Sequence, residues 1–364
     1  MSGRGTKPFP EARDLTWPDL RDAVAFSFVP RLGGAALRIG IERYGSAAAA
    51  FRATAGEADR AAARRSADEV MARAASIGAH IMVQGEPTYP AVLLELPQPP
   101  SLLFALGTPG HLHGRRVGIV GTRHSSASGE RIAAQMAAVL VGAGAVVVSG
   151  MAFGIDAAAH RGAMDANGGT IAVLGGGADV PYPPAHAGLH DRIVREGLVV
   201  SEIPLGSRPG KGAFPRRNRI IAALAETLIV IEAGERSGAL ITARIAAELG
   251  RNVAVVPGPI DSPRHVGSNR LLHDGAAVIT RIEDVLSIAD LDSPAREAPQ
   301  CAADGDTADP AHGIILAALR AGAADVEDLG RTTRLSPRDF ATALSSLELT
   351  GRIHVSATGA VRTV

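Results

Sequence analysis

Between residues 115 and 287 two hydrophobic rhythms alternate along the chain. Short, apolar, β-branched runs (RVGIVG, AVVVSG, TIAVLGG, LVVSEI, TLIVIEA, NVAVVPG and AAVIT) recur at intervals. Most are separated by stretches whose apolar residues fall at helical spacing. Runs without a polar alternate read as strands buried on both faces. The alternation therefore predicts an α/β core, a doubly wound, extended Rossmann-like parallel sheet.

The flanks follow other patterns. Residues 1–80 predict a small helical domain, with a Gly-Gly turn in RLGGAALRIGIERYGSAAAAFRA. Such a turn can grip a DNA backbone through its amides. With only Arg31 and Arg38 beside it, plain helical packing is the better reading on charge. Residues 81–114 are Pro-rich and predict a connector with one or two short strands. Residues 288–310 are acidic and poor in large apolar side chains, the composition of a flexible linker. Order returns over 311–364, where three helices and a two-stranded hairpin predict a winged helix. Its would-be recognition helix sets Arg338 against Asp339 and Glu348, so it offers little to phosphate and suits protein contact or weak DNA contact.

Composition narrows the function. The 364 residues carry 37 basic and 37 acidic side chains, so any nucleic-acid site is a local patch. Cys301 is the one cysteine, which excludes an internal disulfide or a cysteine-cluster zinc site and fits the cytoplasm. The start of the chain has no signal-peptide pattern. Residues 132–155 are uncharged and long enough to span a bilayer, but Gly142 and Gly144 break the run and a β-branched strand pattern follows, so no membrane span is expected.

In an open parallel sheet, ligands bind at the carboxyl ends of the strands. Gly121-Thr122-Arg123, Ser149-Gly150 and the triple glycine at 175–177 all fall at such ends. The first turn lacks G-x-G-x-x-G, and no acidic residue ends the second strand, so a dinucleotide site is poorly supported. Arg123 instead offers a charged fork to phosphate oxygens, which it would share with the amides opening the next helix. The alternative is an arginine paired with a nearby carboxylate. Between Glu202 and Glu226 lie Arg208, Lys211, Arg216, Arg217 and Arg219, with Phe214 and Asn218 among them and no acid. A basic loop with one aromatic suits a sugar–phosphate backbone and a stacked base.

Other groups could be chemical. Glu232, Glu235 and Arg236 precede a helix that Ser237 is placed to cap, and they fit either acid–base work or a salt-bridge web. Asp156 can cap the helix that carries His160 four residues on. No nucleophile or third ligand joins that pair, which makes a metal site improbable.

Taken in order, GIVGTR, SGMAFGIDAAAHRGAM, TIAVLGGGADVPYPPAH, SEIPLG, FPRRNRIIAAL, IEAGERSGALITARIAAELGR, VPGPID and GSNRLLHDGA resemble the DprA/Smf family, DNA-processing protein A, over roughly residues 85–287. The flanks fit as well, since members often carry an N-terminal helical domain of SAM or helix–hairpin–helix type and a C-terminal winged helix. The resemblance implies a cytoplasmic, non-enzymatic, cofactor-free protein that binds single-stranded DNA. It further implies protection of incoming strands during natural transformation, loading of the RecA recombinase, and a homodimer formed through the Rossmann domain. The residues it assigns to DNA are Arg123 in its Gly-Thr-Arg turn, Phe214, Arg217, Asn218 and Arg219, with Lys211 near a family lysine. Gly121, Thr122, Ser149, Gly150 and Arg216 complete the candidate set. The competing reading is a Rossmann enzyme that cleaves nucleoside monophosphates with an Arg/Glu pair, here Arg236 with Glu232 or Glu235. The segment EAGERSGALITA departs from the PGGxGTxxE loop of that enzyme group.

Overall fold

A computed structural model describes residues 17–30, 32–291, 310–320, 325–333, 335–349, 353–355 and 361–363. The chain forms two compact units, Met1–Ala295 and Arg296–Val364. Most of the expected linker, from residue 292 to residue 309, lies outside the described residues, as do Arg31 and Cys301.

The first unit opens with helices α1 (Trp17–Phe26), α2 (Gly34–Tyr44), α3 (Ala47–Thr54) and α4 (Glu57–Ile77). Strands β1 (His80–Val83) and β2 (Leu102–Gly107) follow. The alternating region contains β3 (Arg116–Gly121), α5 (Ala127–Gly142), β4 (Val146–Ser149), α6 (Ile155–Asp165), β5 (Thr170–Val173), α7 (Ala187–Glu196) and β6 (Leu198–Ser201). It continues through α8 (Ala213–Leu224), β7 (Thr227–Ile231), α9 (Gly238–Glu248), β8 (Asn252–Val255), α10 (Val266–His273), β9 (Ala277–Val278) and α11 (Asp284–Ile288).

These strands make one nine-stranded sheet in the order β1-β2-β6-β5-β4-β3-β7-β8-β9. Strands β3 to β9 pair parallel, as the apolar runs predict. Every residue of β4, β5, β6 and β7 is buried, as strands covered on both faces must be. The Pro-rich stretch adds what the alternation did not predict. Strand β2 pairs antiparallel with both β1 and β6, which makes the sheet mixed. The prolines at 87, 90, 97, 99 and 100 lie between these strands rather than in them, so no ladder amide is lost. The expected strand AAVIT shrinks to two exposed residues. The Asp284 carboxylate takes the amides of Thr280 and Arg281 at 2.8 and 2.9 Å and turns the chain toward α11 instead.

The apolar run at 132–155 is divided among α5, a turn at Gly144 (φ 81°), strand β4 and the entry to α6. Among the described residues no helix is long and apolar enough to cross a membrane. The Gly33-Gly34 turn packs into the protein, since a Cβ on Gly34 would lie 1.5 Å from the carbonyl oxygen of Pro99. Arg38 donates to the Leu94 carbonyl at 3.5 Å. Phe26 and Phe51 join Phe104 and Val199 in one buried cluster, so the helices α1–α4 share a core with the sheet.

The second unit holds α12 (Pro310–Arg320), α13 (Val326–Thr333) and α14 (Pro337–Leu349), then the antiparallel pair β10 (Ile353–Val355) and β11 (Val361–Thr363). Ile315, Leu329, Ala343 and Leu347 are fully buried at its centre. A reciprocal cap starts α14: the Asp339 amide donates to Ser336 Oγ at 3.2 Å, and that hydroxyl donates to the Asp339 carboxylate at 2.7 Å. Three helices followed by a hairpin form the expected winged helix.

Candidate nucleic-acid interface

The chain leaves β3 in one direction across the sheet and returns on its other side at β7. Strand order reverses there, and a crevice opens beyond the carboxyl ends of β3 and β7. A cleft of about 520 Å³ occupies it. The turn Gly121-Thr122-Arg123 forms one wall, the first turn of α8 a second, and the segment Gly234 to Thr242 a third. Gly121 allows this closeness, since a Cβ there would lie 2.0 Å from the Ile231 carbonyl oxygen.

Arg123 is exposed at the rim and makes no ion pair among the described residues. Its guanidinium lies 4.9 Å from the centre of the Phe214 ring, a cation–π contact that fixes the side chain and leaves its charge unneutralised. Tyr182 packs on the same Phe214 ring, with centroids 5.3 Å apart.

Arg217 is different. It is buried beneath the cleft and donates through Nη1 to the carbonyls of Gly150 and Val173, the latter at 2.7 Å. Gly150 makes room for it, because a Cβ there would overlap the guanidinium. Burial pushes the Arg217 pKa down and the Asp156 pKa up, and the attraction between the two groups opposes both shifts. Asn218, also buried, accepts from Arg217 Nε at 3.1 Å and donates to the Gly238 carbonyl at 3.2 Å, joining α8 to the start of α9.

The remaining members of the basic run are scattered. Lys211 and Arg216 are exposed beside a recess of about 110 Å³. Arg219 is held against Glu202, and Arg216 approaches the same carboxylate at 3.9 Å. Ser149 is fully buried, with its hydroxyl donating to the Ile119 carbonyl at 2.6 Å. The candidate residues thus fall into a cleft group of Gly121, Thr122, Arg123, Phe214, Arg217 and Asn218, a rim of Lys211 and Arg216, and supports, Ser149, Gly150 and Arg219, that do not line the cleft.

Of the amides opening α5, those of Ser126 and Gly129 already have internal partners, which narrows what that helix start can offer a phosphate beside Arg123. Glu232, turned inward at φ 50°, accepts from the Ser126 amide at 2.8 Å and from its hydroxyl. The Ser126 hydroxyl in turn accepts from the Gly129 amide at 3.0 Å. An internal carboxylate therefore holds the helix terminus that a nucleotide phosphate would take. The cleft is served instead by the first turns of α8 and α9, where Ser237 caps α9 through the Ala239 amide.

Asp156 does not cap its helix as expected. It reaches back to the amide of Ala152 at 3.3 Å and holds the loop after β4. His160 does not face Asp156 as an acid–base partner. Its Nδ1 donates to Thr170 Oγ1 at 2.7 Å, since that hydroxyl itself donates to the Val147 carbonyl. Burial drives the His160 pKa down to about 3, which keeps the ring neutral. Glu235 faces a separate groove beside α9 and α10, so of the three charged groups around residue 235 only Arg236 lines the cleft. Reading by residue type missed Tyr182. Its signal was an aromatic between two prolines just past the triple glycine.

The family described as DNA recombination-mediator protein A matches residues 80–290, and the DprA winged helix domain matches residues 296–357. The chain belongs to the DprA/Smf family. It is similar to Protein Smf of Synechocystis, 45% identical over 206 residues, which are 56% of this chain and 52% of that one. It is also similar to the DNA processing protein DprA of Bacillus subtilis, 40% identical over 198 residues, 54% of this chain and 67% of that one. The match to a Mycobacterium tuberculosis relative, 42% identical, spans 66% of that protein's length. Among solved structures, DNA processing protein A of Streptococcus pneumoniae superposes with a TM-score of 0.64 at 33% identity, covering 73% of this chain and 96% of that one. A Helicobacter pylori DNA processing protein A structure concerned with its single-stranded DNA binding mode superposes with a TM-score of 0.53 at 29% identity, covering 59% of this chain and 97% of that one.

Proposed function

We propose that this protein binds single-stranded DNA in the cleft at the switch point, without cofactor or catalysis. In this reading it protects incoming strands during natural transformation and loads RecA onto them, as a cytoplasmic homodimer joined through the Rossmann domain. The observation that carries the reading is Arg123. It is an exposed guanidinium with no carboxylate partner among the described residues, laid against an aromatic ring at the mouth of a cleft. A polyanion with unpaired bases satisfies both groups at once: phosphate takes the fork, and a base stacks on the ring. The single-stranded DNA binding mode described for the H. pylori relative supports the assignment. Past the cleft, the exposed Lys211 and Arg216 add cationic side chains beside Glu202, which Arg219 also holds.

The enzyme reading loses its carboxylate. Glu232 is consumed in holding α5, and Glu235 faces away from the cleft. The carboxylate that lines the cleft with Arg236 is Asp156, buried, raised in pKa by that burial and facing Arg217. Incubation with nucleoside monophosphates checks this directly. No free base is expected; its release at a rate above the uncatalysed one would restore the enzyme reading.

A further inference from the structure

The chain is only 3% aromatic, and Phe26, Phe51, Tyr89 and Phe104 are buried, the three phenylalanines each 1% exposed or less. Two of the exposed ones lie beside the cleft without belonging to the Arg123–Phe214 pair. Phe153 is 45% exposed and Tyr182 40% exposed. Tyr182 packs on Phe214 at a tilt of 38°, and Phe153 meets the ring of His186, four residues past Tyr182, edge-on at 4.6 Å. Arg123, Phe214 and Tyr182 are thus in contact in series, and the Phe153–His186 pair joins the loop after β4 to the loop after β5 that also carries Tyr182. Tyr44, a further exposed aromatic, sits under Arg43 in the helical region instead.

The shelf that carries these rings is fixed from below. Met151 is fully buried yet has φ 55°, a conformation costly for a side chain of its size, and it turns the backbone so that Phe153 stands out of the core. Its carbonyl accepts from His186 Nδ1 at 3.0 Å, which ties the loop after β4 to the loop after β5. Arg217 holds the Gly150 carbonyl and Asp156 holds the Ala152 amide. Rings presented on a rigid backbone lose little freedom when they meet a flat partner.

Resting on the single-strand reading above, we infer that Tyr182 and Phe153 continue the base-stacking surface beyond Phe214. The strand then leaves the cleft across the ends of β5 and β4, with its phosphates toward the basic rim. Stacking accepts any base, so the extension adds affinity and footprint without sequence preference.

The test uses the full chain with Phe153→Leu, Tyr182→Leu and the double variant, which keep apolar bulk but remove the flat ring. Affinity is measured by anisotropy for oligo-dT of about 16 nucleotides and of about 4, the range of single-strand sites. Each single variant is expected to weaken the long oligomer about tenfold, and Phe153→Leu should leave the short oligomer and the salt slope unchanged. Placing 2-aminopurine along the long oligomer should show quenching that disappears at separate positions in the two variants. Wild-type affinity of the double variant for the long oligomer would overturn the extension. Equal losses on both lengths from Phe153→Leu would do the same, because they mean a disturbed cleft. Arg123→Ala separates this from the parent reading: it should weaken both lengths, and if it weakens neither, the single-strand reading itself fails.

Discussion

At the scale of single residues, two arginines at the same site are given opposite work by burial. Arg123 is exposed, without an ion pair among the described residues, and stacked on Phe214, so its removal should spare the fold. Arg123→Ala is expected to cost about 1.5–3 kcal/mol of single-strand affinity, the range for a hydrogen bond to a charged group. The salt slope should fall by about 0.7 for the lost phosphate contact, with the melting temperature unchanged. Arg123→Lys should recover slope more than affinity, since it returns the charge without the fork. Arg217→Met should behave the other way. It strips the donors from Gly150 and Val173 and leaves Asp156 buried without its counter-charge, a loss on the order of 3 kcal/mol or more of stability. Calorimetry and anisotropy on the same preparations distinguish the two. The sequence marked Arg123 as a cation at a glycine-bearing strand end and Arg217 as one of a basic run between Glu202 and Glu226, and the exposed position of Arg123 agrees with the first. The supporting role of Arg217 could not be read there, because it depends on carbonyls 44 and 67 residues away in the chain.

At the scale of elements, the strands and helices of the core were legible because each apolar run had to be buried on both faces. What was hidden is where the ends of those elements find partners. The amides opening α5 look free in the sequence, and a phosphate was the natural occupant; the Ser126 amide is instead taken by Glu232, from a loop 106 residues later, and the Gly129 amide by the Ser126 hydroxyl. The AAVIT run looks like a full strand, and a cap from Asp284 shortens it. One or two strands were expected in the Pro-rich stretch, but the antiparallel place of β2 between β1 and β6 follows from sheet pairing that no local pattern encodes. Helix α6 gives a pH prediction. Its His160 has an ordinary value of 6.5 and is held near 3 when folded, so between those values the unfolded chain binds more protons. Stability should therefore fall as pH drops from about 6.5 toward 4, with a contribution of up to about 1.4 kcal/mol per pH unit from this ring. His160→Gln keeps a donor for Thr170 and removes the titration. Denaturant midpoints measured across that range should show a shallower pH slope in the variant, and an unchanged slope would remove His160 from the account.

At the scale of the whole molecule, the chain forms two compact units. The cleft, its aromatic shelf and its basic rim all belong to Met1–Ala295. The C-terminal winged helix carries Arg338 against Asp339 and Glu348 on its last helix, a poor phosphate surface. A chain ending at residue 291 should therefore fold, melt cooperatively and keep its affinity for single strands within about twofold. A large loss would move part of the interface to the winged helix. The zero formal net charge of the chain means that any affinity for DNA must come from local geometry, which is where single and double strands part. A duplex can offer phosphate to Arg123 but keeps its bases from Phe214. The decisive measurement is a titration of the full-length protein against a labelled single strand and a duplex of equal length, over a range of salt. Preference for the single strand, with little dependence on sequence and a steep loss of affinity as salt rises, is what the cleft predicts. Equal affinity for the duplex would contradict it.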